Sequence, residues 1–163
     1  MKLDEPLEAV INCAGVFSNE SLGSITEDEI KRSMATNVKA PILLVSSLID
    51  RIKQDGTDIA NVISAIATKA NPNEVVYGAS KWALRGFTTN LQLELKQYPC
   101  RVISFCPGGF ATKLFEKATG DDIVGDGTKW MVAKDVALCL KQLLDLPKNM
   151  EVSEIILNRK VAK

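Results

Sequence analysis

The sequence predicts an α/β fold, a sheet with flanking helices, in one domain over residues 1–163. Three observations predict it. Short apolar runs alternate along the chain with longer segments of helical periodicity. Gly, Pro, Asn and Ser punctuate the changes between them. The length of 163 residues suits one domain, able to bury roughly 68–70% of its unfolded surface.

The elements follow in order. Ala9-Val10-Ile11 is a short buried-strand candidate ending at Asn12-Cys13-Ala14-Gly15, and a Ser-, Asn- and Gly-rich loop runs on from Ser18 to Ser24. Thr26 opens a helix and Glu29 completes a capping box. That helix continues toward Lys53; Pro41 should bend it just after Asn37, and Gly56 stops it. Ile59 to Ile63 forms the second strand, ending at Ser64. A second long helix covers about Val75 to Gln97, and Arg101 to Phe105 is the third strand, delivered into Pro107-Gly108-Gly109. Thr112 to Gly127 reads as a mobile connection. Asp135 starts a helix through Leu144, and Glu154 to Leu157 closes the sheet before a basic tail, Arg159 to Lys163.

Composition narrows the chemistry. With 20 Lys+Arg against 20 Asp+Glu, no basic excess points to nucleic acid. The longest apolar stretch, Pro41 to Val45, is too short for a bilayer, and Met1 to Pro6 lacks the apolar core of a signal peptide. A cytoplasmic protein is expected. The four cysteines form no CxxC pair. The chain has no histidine, which excludes hydrolases with an imidazole base and removes the commonest transition-metal ligand. Chemistry must run on carboxylates, hydroxyls, Lys, Tyr or a cofactor.

Tyr77-Gly78-Ala79-Ser80-Lys81 places a phenol and an ammonium on one helical face. A cation about 4 Å from the phenol supplies roughly 4 kcal/mol, enough to lower its pKa by up to about three units. Ser64 ends a strand thirteen residues before Tyr77. Asn12 and Pro107 end two others, and ligands in open α/β sheets bind beyond the carboxyl ends of strands.

These residues resemble the short-chain dehydrogenase/reductase family, over nearly the whole chain. Asn12-Cys13-Ala14-Gly15 is similar to its Asn-Asn-Ala-Gly element, with Cys13 departing from the usual Asn. Asn37 resembles its catalytic Asn, Ser64 its catalytic Ser, and Tyr77 with Lys81 its YxxxK pair. Pro107-Gly108 followed by Thr112 resembles its PG…T element. The resemblance implies the C-terminal half of a Rossmann-like doubly wound parallel sheet. It also implies hydride transfer between a carbonyl or alcohol and NAD or NADP. Tyr77 would act as acid/base, Ser64 would bond the carbonyl oxygen, and Lys81 would lower the Tyr77 pKa and bind the ribose. Asn37 would hold a relay water. Asn12, Ala14, Gly15, Pro107, Gly108 and Thr112 would contact the cofactor, although Thr112 could equally serve as an N-cap. The substrate pocket should use Ile66, Asn71 and the segment from Phe110 to Thr128. Trp82 and Phe87 read as packing residues.

The resemblance also implies that the family's Gly-rich dinucleotide turn should precede Asn12, where this sequence has no glycine. Strand Ala9 to Ile11 is then expected to be an exposed apolar edge. The expected partners are a small carbonyl or alcohol substrate and a second copy, a homo-oligomer through the two long helices. Two other readings stay open, a catalytically silent fragment and a dimerisation or regulatory module. The C-terminal Glu154-Ile155-Ile156-Leu157 run resembles one branch of the family without naming a substrate.

Overall fold

The computed structural model describes residues 5–120 and 130–160. Four strands, β1 (Ala9–Asn12), β2 (Asp58–Val62), β3 (Val102–Pro107) and β4 (Glu154–Leu157), form one sheet in that spatial order. All three pairings are parallel, with Val10 opposite Ile59, Ile59 opposite Val102 and Phe105 opposite Ile155. The central strands β2 and β3 are buried along almost their full length, whereas the outer β1 and β4 are not. Burial on both faces explains why the central strands read as near-continuous apolar runs. Strand β1 lies at the sheet edge among the described residues, with Ile11 47% exposed, as the sequence suggested.

Two layers of helix cover the sheet. Helices α1 (Glu27–Met34), α2 (Ala40–Asp55) and α3 (Val75–Glu94) connect β1 to β2 and β2 to β3. Val45 and Ile52 of α2 and Leu91 of α3 pack on Ile59 and Val102. A short helix α4 (Lys113–Thr119) follows β3, and α5 (Ala133–Leu144) leads into β4. Val136 and Leu140 of α5 pack on Ala60, Ile103 and Phe105. The period of two thus sends Ile59 and Val102 to one layer and their chain neighbours Ala60 and Ile103 to the other.

The predicted bend around Pro41 takes a specific form. Between α1 and α2 the chain makes a π-helical turn, Ala35–Lys39, in which the Ala40 amide reaches back to the Ala35 carbonyl. Pro41 has no N–H to return to the carbonyl of Asn37, so that carbonyl is released from the α-helical ladder at the turn. Gly56 ends α2 in the left-handed conformation (φ 68°), as expected. Thr26 caps α1 by accepting the Glu29 amide at 3.2 Å, but the reciprocal bond of the capping box is not made by the buried Glu29 Oε1, which has no partner. Part of the predicted mobile connection is ordered as α4, capped by Thr112 through the Leu114 amide at 3.4 Å. Gly125, Gly127 and Thr128 lie outside the described residues.

No helix among the described residues is long and apolar enough to cross a membrane.

Candidate active site

Strand ends and one helix converge on a cavity of about 1180 Å³. Cys13 and Gly15 follow β1, Val62 to Ile66 carry on from β2, and Pro107 to Phe110 leave β3. The N-terminal half of α3 adds Tyr77 and Lys81, and Asn158, Arg159 and Lys160 follow β4. This is the carboxyl edge of a parallel sheet, where strand ends diverge and leave room for a ligand. Of the residues singled out in the sequence, Gly15, Ser64, Ile66, Asn71, Tyr77, Lys81, Pro107, Gly108, Phe110 and Thr112 line it.

Tyr77 and Lys81 are only 8% and 4% exposed, so the YxxxK pair is no surface accident. The Lys81 ammonium donates to the Val62 carbonyl at 3.1 Å and lies 5.8 Å from the centre of the Tyr77 ring. Ser64 precedes a tight 3-10 turn (Ala65–Thr68), accepts the Ile66 amide at 3.2 Å and hydrogen-bonds the Tyr77 phenol.

The expected lowering of the Tyr77 pKa is corrected here. Burial pushes the phenol up to about 12, and the negative charge of Glu74 adds to this against the Ser64 hydrogen bond. Burial also pulls Lys81 down to about 8, opposed by the sulfurs of Cys13 and Cys106. Desolvation penalises both charged forms, and it outweighs the attraction that spacing alone suggested. At neutral pH the phenol is therefore a proton donor, and the ammonium beside it is mostly charged.

The Lys81 shift makes a testable contribution to stability. Between pH 8 and 10.5 the unfolded chain holds a proton on this lysine that the folded chain has released. Stability should therefore rise with pH up to about 10, where Tyr77, held protonated on folding, begins to oppose it. Urea unfolding of wild type and Lys81→Met across this range checks the sign: the rise should be absent from the variant.

Asn37 is fully buried, and its amide is already engaged. Oδ1 accepts the Val16 amide at 2.9 Å, while Nδ2 donates to the Val16 carbonyl and to Ser80 Oγ, each at 2.9 Å. The side chain thus pins the loop after β1 to α3. The side chain of Asn12 also turns away from a ligand role: its amide donates to Asn61 Oδ1 at 2.6 Å, and Asn61 donates onward to Thr88 at 2.8 Å. Asn12 therefore ties β1 to β2 and α3. Neither Asn12 nor Ala14 contributes to the cavity wall.

Two glycines of the wall sit against close neighbours. A Cβ on Gly108 would sit 2.9 Å from the Leu157 carbonyl, which accepts the Gly108 amide at 2.7 Å. One on Gly109 would sit 2.4 Å from the Trp130 ring. Trp130 belongs to an aromatic series that sequence reasoning missed. Phe17 packs edge-on against Tyr77 at 4.8 Å, Phe115 stacks on Phe17 at 5.5 Å, Trp130 follows at 5.0 Å and Arg159 covers Trp130 at 4.6 Å. Trp82, expected to pack, is 51% exposed, with Arg85 over its ring.

A parallel α/β sheet thus carries a buried Tyr/Lys pair and a serine at its carboxyl edge. Residues 2–122 match the family model described as short chain dehydrogenase, and the chain belongs to that family. It is 33% identical over 126 residues to the short chain dehydrogenase adrF of Penicillium rubens, covering 76% of this chain and 47% of that protein. It is 37% identical over 106 residues to L-xylulose reductase of Caenorhabditis elegans, covering 63% and 41%. Among solved structures, a short-chain dehydrogenase/reductase from Vibrio parahaemolyticus superposes with a TM-score of 0.79 at 26% identity, covering 97% of this chain and 69% of that one. A serine dehydrogenase complexed with NADP+ shares the fold at a TM-score of 0.85 and 20% identity, covering 93% and 64%. The chain thus spans about half the length of these curated relatives.

Proposed function

We propose that this chain forms a single partial domain carrying the proton-transfer half of an NAD(P)-dependent oxidoreductase that interconverts a small carbonyl compound and its alcohol. The observation that supports it most is the convergence of Ser64, Tyr77 and Lys81 on one cavity wall. The nicotinamide end of a dinucleotide fits: Gly15 leaves open a cradle in which a Cβ would stand 3.5 Å from Asn37 Oδ1 and 3.6 Å from Lys81 Nζ. Lys81 and Tyr77 would hold the ribose hydroxyls; Gly15, Gly108 and Thr112 would border the nicotinamide. The described residues form no strand beyond β1 to carry the pyrophosphate side.

The bound nicotinamide supplies or accepts the hydride. The remaining work belongs to side chains of this chain. Ser64 donates a hydrogen bond to the carbonyl oxygen where negative charge grows. Tyr77, neutral through burial, gives its proton to that oxygen. Lys81, partly charged near pH 8, steadies the phenolate that results and would return a proton to it from solvent. We place this activity in the cytoplasm, whose reducing conditions suit four free cysteines.

A second reading has its own support. Leu43 and Leu44 of α2 and Trp82 and Leu93 of α3 are 55%, 43%, 51% and 70% exposed. Such a surface suits a homo-oligomer through the two long helices, or a module that pairs with longer relatives.

Thermal unfolding with increasing NADPH and NADH separates the readings. Saturable stabilisation, about 2.7 kcal/mol at a hundredfold excess over Kd, supports the enzyme. An unmoved Tm at millimolar cofactor contradicts it.

A further inference from the structure

We propose that Phe17 is a positioning residue for proton transfer, its ring closing one side of Tyr77 against water so that the phenol stays a proton donor. This rests on reading Tyr77 as the acid.

The contact is direct. Phe17 stands edge to face with Tyr77, ring centres 4.8 Å apart and planes at 81°, a favoured aromatic arrangement. Tyr77 is buried, whereas Phe17 is half-buried and lines the cavity. Phe17 therefore lies between the phenol ring and part of the open space. On its other side Phe115 of α4 stacks on it at 5.5 Å and 26°, which holds the ring in place.

The backbone that carries Phe17 is tied to the helix that carries Tyr77. Val16, just before it, has its amide and its carbonyl bonded to the Asn37 side chain, each at 2.9 Å. Asn37 Nδ2 also donates to Ser80 Oγ at 2.9 Å, and Ser80 Oγ donates to the Tyr77 carbonyl at 2.7 Å. Ser18, just after Phe17, is buried. One short network thus runs from the residue beside Phe17 to the residue its ring covers.

That placement has a chemical consequence. An apolar ring solvates a phenolate poorly, while a neutral phenol beside it keeps its bond to Ser64. The cover therefore penalises early loss of the proton that Tyr77 has to deliver. Burial is the largest cause of the raised Tyr77 pKa, as such a cover requires.

The test uses the 163-residue chain with neither cofactor nor substrate, so its failure is separable from failure of the catalytic reading. The chain has two tyrosines, so Tyr98→Phe leaves Tyr77 as the one phenol whose ultraviolet absorbance titrates. Far-UV circular dichroism at each pH reports whether the fold persists. In that background the midpoint should lie near 12, and adding Phe17→Ala should lower it by about one unit, tenfold in proton affinity. Phe17→Leu, which keeps apolar bulk, should retain most of the shift. Phe17→Val should fall part way, and it carries the test if the alanine variant does not fold. An unmoved midpoint in the folded truncations, or a fall as large with leucine as with the smaller residues, overturns the assignment.

Discussion

Tyr77→Phe is expected to lower NAD(P)H-dependent ketone reduction by about 10²- to 10⁴-fold, the usual contribution of a positioned acid. The substitution removes one oxygen and keeps the ring that Phe17 packs against at 4.8 Å. Fold and cavity shape should therefore survive, and cofactor affinity should fall far less than turnover, because Lys81 still reaches the ribose. The carbonyl oxygen would keep its bond to Ser64 yet have no acid within reach, since Lys81 is engaged by the Val62 carbonyl at 3.1 Å. Steady-state turnover at 340 nm, with cofactor affinity measured separately, checks the effect. Unchanged turnover would remove Tyr77 from the mechanism.

Asp58→Ala is expected to cost about 3–5 kcal/mol of stability, the penalty for stranding one partner of a buried ion pair. Asp58 and Arg101 are 3% and 4% exposed at the opposite edge of the sheet from the cavity. The Arg101 guanidinium reaches both carboxylate oxygens, at 3.2 and 2.6 Å, and the Arg101 amide and Lys148 add bonds at 3.1 and 2.9 Å. Arg101 also collects the carbonyls of Leu144, at the end of α5, and of Leu146 and Met150 beyond it. Burial alone would raise the Asp58 pKa, but these bonds hold it below its ordinary 3.8. Their contribution is present at neutral pH and is lost as acid protonates the carboxylate below that value. Urea midpoints for wild type and Asp58→Ala at pH 7 measure the cost; a loss below 1 kcal/mol would show that the pair is dispensable.

Much of this architecture was legible because local signals agreed with the global one. β2 and β3 announced themselves as apolar runs because both their faces are covered. Gly56 and Thr26 marked helix ends by chemistry confined to one turn. Ser64, Tyr77 and Lys81 were readable because strand end and helix face fix where such side chains go. Other features depend on contacts between distant segments. Phe17, Phe115 and Trp130 meet across more than a hundred residues of chain, and no spacing rule links them. The amide of Asn12 could face a cofactor or Asn61, and only the neighbouring strand decides. The direction of the Tyr77 shift was misjudged because spacing supplies the attraction but not the burial. Pro41 announced a bend, but the π turn that accommodates it emerges only from the packed helix.

The central claim is that Tyr77 and Lys81 form one desolvated proton-transfer pair rather than a solvated pair on a helix face. Its most direct measurement is an NMR pH titration of the lysine Nζ and tyrosine ring resonances, assigned with Lys81→Met and Tyr77→Phe. Lys81 should titrate near 8 and Tyr77 should stay protonated to about 12. Titration of the two near their ordinary 10.5 and 10.0 would contradict it.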